Sequence, residues 1–553
     1  MAKRQFGVST HLYHAQRLCR DHLLEIAAHG FECVEVYATR THFDYHNPSA
    51  VADLQGWLAE AGLDLRSIHA PTAESFIGGR WNGTLSLASL AGLTGAAGSQ
   101  QPATGEIHGG ITRSLAKYAV SGKYADLPDP VLREARRTLL NWVGCAVGGS
   151  RHETLDAAIS ALAPFSGPPQ ASVLGRRERM DILHAALMNG ISSHVFDFDD
   201  THLKTVIHPA GPVVSALLAL SEYRPVSGKD FLNAMVLGIE VECRIGNAVY
   251  PAHYDRGWHI TGTAGVFGAA AASGRVLGLS EQQMVWALGL AATQPVGLRE
   301  MFGSMTKSFH PGRAAQNGLT AALLAARNFT SSEVGIEGKS GWANVLSTTR
   351  NYAEMTENHG KTYEILLNTY KPFACGIVIH PTIDACIQLR NEHALTADGI
   401  ARIDLRVHPL VLELTGKRTP QTGLEGKFSV YFAAALAVVK GSAGVRDFSD
   451  ENARNPAIAA LRDRVTATID PAIKEDQVLA TITTTDGRVL KKVVDHVVGS
   501  MERPMTDADL EAKFMNLAEG VLPPAQARGL MNLCWKVDTL SGADQLATGA
   551  RAT

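Results

Sequence analysis

The chain has 553 residues, more than one hydrophobic core usually organises, so at least two domains are expected. Apolar residues make up 45% and charged ones 19%, an ordinary globular balance with enough apolar mass for a sizeable core. Fifty-one basic against fifty-four acidic residues leave a formal charge of −3. The basic residues are scattered, which excludes the concentrated basic face that a nucleic-acid partner requires.

Seven cysteines, Cys19, Cys33, Cys145, Cys243, Cys375, Cys386 and Cys534, lie far apart and form no CxxC pair. An odd, sparse set in a large chain predicts reduced thiols and a cytoplasmic protein. The opening MAKRQFGVSTHLYH has basic residues with no apolar stretch behind them and does not read as a secretory signal. The longest uncharged stretches, such as Trp258–Gly274, are interrupted by glycines and polar residues and fall short of the roughly 20 residues of a bilayer span. A soluble chain is expected.

Residues 1–82 alternate strand and helix. Phe6–Thr10, Val34–Tyr37 and Leu65–His69 read as strands. Between them, Leu23, Ile26 and Ala27 mark a helix face that stops at Gly30, and Ser49 is placed to cap a helix with Val51, Leu54 and Leu58 inward. Alternation of this kind implies a parallel sheet. The segment resembles the first three βα units of the xylose-isomerase-like sugar isomerase/epimerase barrels, with Glu35 and His69 at strand ends. The other five units, which carry most of that family's metal ligands, are missing. A remnant or a docking segment is expected rather than a catalytic barrel, since a partial barrel leaves open sheet edges.

Residues 83–105 are small, rich in Gly, Ala, Ser and Thr, and uncharged, which is linker composition. From 106 to 370 apolar residues recur at three and four positions and predict an all-helical domain. Over 371–503 the texture changes to a smaller α+β lid. Arg402–His408 alternates at period two, and Asp486-Gly487 between two apolar runs is a hairpin signal. Helices over 504–545, the first capped by Thr506 or Asp507 and carrying Leu510, Phe514 and Leu517, are expected to return to the helical domain. The cleft between domain and lid is where a ligand site is sought.

Four segments carry candidate chemistry. His194-Val-Phe-Asp197-Phe-Asp199-Asp200-Thr201-His202, followed by His208-Pro209, would set Asp197 and Thr201 on one face if helical. The plain alternative is a solvated helix end with a capping Asp. An aspartate-rich magnesium site would need a second acidic cluster facing it, and none is evident. Gly257-Trp258-His259 with Thr261, Gly262 and Thr263 places a histidine at a helix start, either to meet a ligand or to donate to backbone. Gly303-Ser304-Met-Thr-Lys307 through His310 and Arg313 puts two cations near a helix N-terminus that would attract anions. Ser304-x-x-Lys307 matches an acyl-hydrolase tetrapeptide, but the companion SDN and KTG elements and a GxSxG elbow are absent. Tyr370-Lys371-Pro372 and His380 could reach the cleft from the lid, or be a surface lysine and a helix-end histidine. Together these residues suit a substrate with several carboxylates: cations hold the anions and a base works at the carbon beside one of them.

In this order and spacing the four segments resemble the MmgE/PrpD family of 2-methylcitrate dehydratases, cis-aconitate decarboxylases and iminodisuccinate epimerases. The motifs concerned include Gly144-Cys145, Ala171–Gly175, Asp197–Thr201, Gly257–His259, Met305–Lys307 and Thr422–Phe428. The resemblance implies a helical domain with an α+β lid, a homodimer, and activity without a metal or organic cofactor. It places a site at Asp197, Thr201, His208, His259 and Lys307, with Lys371 and His380 from the lid. Two departures stand out. The stretch between Thr201 and His208 is one residue longer than in the decarboxylases, and a lid-strand tyrosine of theirs is replaced around Val411-Leu412-Glu413.

The expected reaction is metal-independent lyase chemistry, dehydration or decarboxylation, on a small polycarboxylic acid. His259 or Asp197 would move the proton on the carbon alpha to a carboxylate, while Lys307, His208 and Arg313 neutralise the enediolate-like charge. In a dehydratase, His208 or Thr201 would help the hydroxyl leave. Arg313, Lys371 and His380 are expected to bind substrate. An epimerase or racemase using the same proton abstraction is the runner-up, and a non-catalytic scaffold is the alternative from another class.

Overall fold

The computed structural model describes residues 7–13, 16–37, 42–44, 47–69 and 110–552. The expected linker over 83–105 lies outside them. The chain forms two compact units, Met1–Glu106 and Ile107–Thr553.

In the first unit, strands Gly7–Ser9, Cys33–Tyr37 and Asp64–His69 pair in parallel in that spatial order. Helices Arg20–Ala28 and Pro48–Ala61 connect them, as strand–helix alternation requires. Leu23, Val34, Val36 and Leu54 form its core. The second helix is capped by Asn47, whose side chain accepts the Ser49 N–H at 3.0 Å. Ser49 itself is therefore not the cap, because Pro48 supplies a first helical position with a preset φ and moves the start upstream. Among the described residues no fourth strand joins this sheet, so the barrel likeness extends no further than three strands. Glu35 accepts from the Ser67 hydroxyl at 2.8 Å, and the side chain of His69 lies outside what the structure describes.

The second unit is mainly helical. Its centre is the helix Ile260–Leu277, buried along Ile260–Gly274 and packed against Gly228–Val249, Ala210–Tyr223 and Met305–Ala325. Small residues permit these close approaches. A Cβ on Gly190 would lie 2.3 Å from the Cα of Gly312, so helices Ile182–His194 and Met305–Ala325 can cross only at that glycine pair. The crossing brings His194, about one turn beyond Gly190, next to Lys307, about one turn before Gly312. A Cβ on Gly262 would likewise sit 2.0 Å from the Val296 carbonyl, so the 296–298 loop covers the start of the helix that His259 caps.

A four-stranded sheet follows, in the order Val489–Val494, Val478–Thr484, Ile400–Val407, Val465–Ile469. The first two pairings are antiparallel and the last is parallel. Gly487, at φ 88°, makes the hairpin turn that Asp486-Gly487 foretold. Helices His380–His393 and Val430–Lys440 cover the sheet, and this region has a hydrophobic core of its own, drawn almost wholly from Ala374 to Val497. Helix Asp507–Ala518, capped by Thr506 in a box with Asp509, then packs Leu510 and Phe514 into the helical core beside Trp142. Among the described residues no helix is long and apolar enough to cross a membrane.

Candidate active site

The segments singled out from the sequence converge on one small hollow between the helical part and the sheet-bearing part. Asp197, Thr201, His208, His259, Lys307 and Lys371 line it, with Phe302, Phe428, Leu410 and Leu414 as apolar walls. The six polar side chains are all buried. His259 enters as the cap of helix Ile260–Leu277, and Lys307 from the first turn of Met305–Ala325. Asp197 does not sit on a helix, contrary to the expected i, i+4 face. Helix Ile182–His194 ends first, and Asp197 adopts a left-handed φ of 51° in the loop beyond. Thr201 lies on a two-residue strand paired with Thr369. Asp197 and Thr201 thus share a cavity without sharing a helix face.

Hydrogen-bond partners fix most of the proton positions. Lys307 Nζ donates to Asp197 Oδ1 at 2.8 Å and lies 3.0 Å from His194 Nε2. His194 Nδ1 meets Asp199 Oδ2 at 2.7 Å. A carboxylate only accepts, so His194 carries its proton on Nδ1 and presents the Nε2 lone pair to the ammonium. Lys371 Nζ donates to the same Asp197 Oδ1 at 2.8 Å. His208 Nδ1 lies 2.7 Å from the Asp200 carbonyl, which again fixes the proton on Nδ1 and leaves Nε2 as a free base. His259 Nδ1 faces His310 Nδ1 at 2.8 Å, so one of the two donates and the other accepts.

Charge follows burial. Desolvation would raise the Asp197 carboxyl, but Lys307 and Lys371 outweigh it and hold it well below the usual carboxylate range. Burial, with neighbouring Lys307, pushes His259 well below the ordinary imidazole value, and burial brings His208 to about 3 despite Asp199. Burial also lowers Lys307, against the pull of Asp197. Burial and the adjacent Asp199 raise Asp200 to about 7. The hollow therefore sets imidazoles that burial disfavours as cations beside two lysine side chains that share one carboxylate.

Two predicted residues lie elsewhere. Arg313 is exposed and bonds Gln316 on its own helix at 2.5 Å, because six positions beyond Lys307 the helix has turned that face to solvent. His380 is buried, but its Nε2 faces the Cys375 carbonyl at 3.3 Å. It lines an adjoining cavity that shares Lys371, Val206, Ile377, Val378 and Glu475 with the hollow. Val411-Leu412-Glu413 is part of a helix, Pro409–Thr415, and not of a strand; its neighbours Leu410 and Leu414 face the hollow. The position assigned to the missing tyrosine therefore falls just past the strand end. Sequence reasoning passed over His194, Asp199, His310, Lys427 and Lys513 as site components. His194 and Asp199 stood in the same motif as Asp197, and Lys427 in Thr422–Phe428, whereas nothing local distinguishes Lys513 from a surface lysine.

Two overlapping groups have metal-ligand spacing, His194/His208/His259 and His194/Asp197/Asp199/His208, with ligand atoms within 4.8 Å of one another. In the second group the donors are engaged: Lys307 faces the His194 lone pair, and two ammonium groups bind Asp197. A divalent cation there would have to displace both lysines, whereas in the first group a lysine meets only His194 and His208 Nε2 is open.

A helical body, a sheet with its own core and a buried histidine–lysine hollow between them define an acid–base type of site. Comparison with known proteins agrees on the lineage. Residues 113–355 match the MmgE/PrpD N-terminal domain and 373–537 the MmgE/PrpD C-terminal domain; the chain belongs to the MmgE/PrpD family. It is 27% identical over 466 residues to a cis-aconitate decarboxylase-like protein of Aspergillus oryzae, covering 79% of this chain and 96% of that protein. Against the cis-aconitate decarboxylase of Homo sapiens it is 28% identical over 458 residues, 79% of this chain and 94% of the other. Against the 2-methylcitrate dehydratase of Cupriavidus necator it is 23% identical over 439 residues, 72% and 88%.

Proposed function

We propose that the chain is a lyase acting on a small polycarboxylic acid of the cis-aconitate or 2-methylcitrate type, by proton transfer at carbon alpha to a carboxylate. The single observation that carries this is the shared hollow: free-base imidazoles of His208 and His259 beside Lys307 and Lys371, all buried. Breaking a bond at that carbon leaves an electron pair that spreads into the neighbouring carboxylate. The ammonium groups of Lys307 and Lys371 stabilise this charge in a water-poor setting, where such contacts are strongest. His259 gives or takes the carbon proton, relayed through His310, and His208 serves the opposite face or a departing hydroxyl. Decarboxylation is favoured over dehydration, since the relatives named decarboxylases align over more of the chain.

The same proposal takes the enzyme to be a cytoplasmic homodimer that needs no metal or organic cofactor. Seven unpaired cysteines support a reducing compartment, and the engaged donors around Asp197 support metal independence. Residues 1–82 are taken as a remnant or a docking segment, since among the described residues no fourth strand joins their sheet.

The test incubates the protein with cis-aconitate, 2-methylcitrate and iminodisuccinate in D2O and follows each by NMR. Carbon-bound deuterium in a decarboxylated product, or loss of the alpha C–H together with the hydroxyl in a dehydrated one, supports the proposal. Exchange or inversion without bond loss would make the enzyme an epimerase. An unchanged spectrum with all three acids would sink this substrate class.

A further inference from the structure

Four buried lysines surround the Asp197 loop, and only two of them face the hollow. Lys513, from helix Asp507–Ala518, donates to the Phe198 carbonyl at 2.7 Å and to the Lys371 carbonyl at 2.9 Å. Lys427 donates to the Phe196 carbonyl at 2.9 Å and the Ala374 carbonyl at 2.6 Å. Lys371 itself donates to the Asp197 carbonyl at 3.1 Å as well as to that residue's carboxylate. Three consecutive carbonyls, 196, 197 and 198, thus each receive a different ammonium group. In two cases the same ammonium also grips the 371–374 segment.

Among the described residues no backbone hydrogen bond joins 196–198 to 371–374, and no carboxylate lies within ion-pair distance of Lys427 or Lys513. An ammonium group buried without a counter-ion is costly, and a backbone carbonyl buried without a donor is costly too. Here the two problems offset each other, with the Cys145 thiol a second donor to the Phe198 carbonyl at 3.4 Å. The loop needs such a fastening, because Asp197 is held at a positive φ that non-glycine residues seldom adopt.

We propose that Lys427 and Lys513 are positioning residues: a pair of clamps that fasten the Asp197 loop to the Lys371 segment and so set the distance between the carboxylate and the two catalytic ammonium groups. Their catalytic consequence rests on the lyase activity proposed above; the clamping itself does not. Burial lowers both ammonium groups to about 8, so they are charged at neutral pH and weaken as donors in mild alkali. Lys513 also lines a groove of about 700 Å³ on the far side of the loop, which gives small solutes a path to its position.

The test uses the full chain carrying Lys513→Ala or Lys427→Met, with hydrogen–deuterium exchange read by mass spectrometry and turnover read separately. Expected is at least about tenfold faster exchange in peptides spanning 195–199 and 371–376, with the central helix 260–277 unchanged. Turnover should fall by about 100-fold, the cost of a misplacement on the order of 1 Å, with KM within about threefold. Propylammonium should restore slow exchange and part of the turnover in Lys513→Ala, while propanol should not. Unchanged exchange in the two peptides would overturn the clamp, as would exchange rising equally throughout the chain, which marks a merely structural lysine. Equal rescue by propanol would also overturn it. If wild type turns over none of the acids while exchange behaves as expected, the lyase proposal fails and the clamp stands.

Discussion

Two neighbouring hollows in the second unit share a wall and differ in almost everything else. The one around Asp197 has room for about 50 Å³, enough for a few waters, each needing roughly 10–15 Å³ by this measure. The one beside it opens to about 470 Å³, within the roughly 300–1,000 Å³ of ordinary ligand pockets. The tight hollow gathers the histidines and lysines. The roomy one is bordered by His380, His408, Lys474, the carboxylates of Glu475, Asp476 and Glu502, and the loop through Gly499. On the proposed function the roomy hollow would capture the acid and the tight one would do the chemistry, with Val206, Lys371, Ile377, Val378 and Glu475 as their shared wall.

The largest effect should come from the tight hollow. His259→Ala and Lys307→Ala should each lower kcat by about 100- to 1000-fold, measured by product NMR at saturating acid. A loss seen only in KM would reverse the roles given to the two hollows. Asp197→Asn should behave similarly, since both ammonium groups would lose the carboxylate that positions them.

Acidification should weaken the same region. Burial lowers His208, His310 and His380 to about 3 each, and His259 well below normal. Unfolded histidine titrates near 6.5, so between about 6.5 and 3 the unfolded chain binds more protons and stability falls with falling pH. Asp200 and Glu240, raised by burial to about 7, act in the opposite sense, but they are outnumbered. Tm should drop by several degrees from pH 7 to pH 5, and a flat Tm would mean these imidazoles are not kept neutral by burial.

Much of this was legible in the chain, and the exceptions have physical causes. His259 and Lys307 could be placed because helix starts have local signatures, Gly-rich before one and Gly303-Ser304 before the other. The hairpin at Asp486-Gly487 and the cap at Thr506 were legible for the same reason. Whether the Asp197 segment is helical could not be read locally, because its conformation is imposed by lysines 174 to 315 positions away in sequence, which no window of residues reveals. Lys513 was invisible for that reason too: only the fold tells a lysine facing two carbonyls from one facing water. Arg313 erred the other way, since a cation near a binding motif attracts attention until the helical phase is known.

The shared wall offers a smaller effect. Val206 holds a φ of 55°, an outlier for a β-branched residue, and borders both hollows. Val206→Gly removes the strain and the isopropyl group together. Selectivity between acids differing by one methyl should shift by about 10-fold, the scale of one methyl in a pocket. Competition between two such acids, followed by NMR, measures it. An unchanged ratio would mean that Val206 does not touch substrate.

Lys474 and Arg313 separate long-range attraction from contact. Lys474 is exposed at the border of the roomy hollow, so Lys474→Ala should raise KM about two- to fivefold at low salt. The effect should vanish at high salt, where a surface charge is screened. Arg313→Ala should do less still. Its guanidinium is exposed and bonds Gln316 on its own helix, away from the hollow, so both kcat and KM should stay within twofold, as the surface-substitution scale of about 0.5 kcal/mol implies. The contrast with Lys307, six residues earlier on one helix, isolates helical phase as the cause. Equal losses at both positions would require the helix to turn its other face to the acid, and the tight hollow would then not be where the bond breaks.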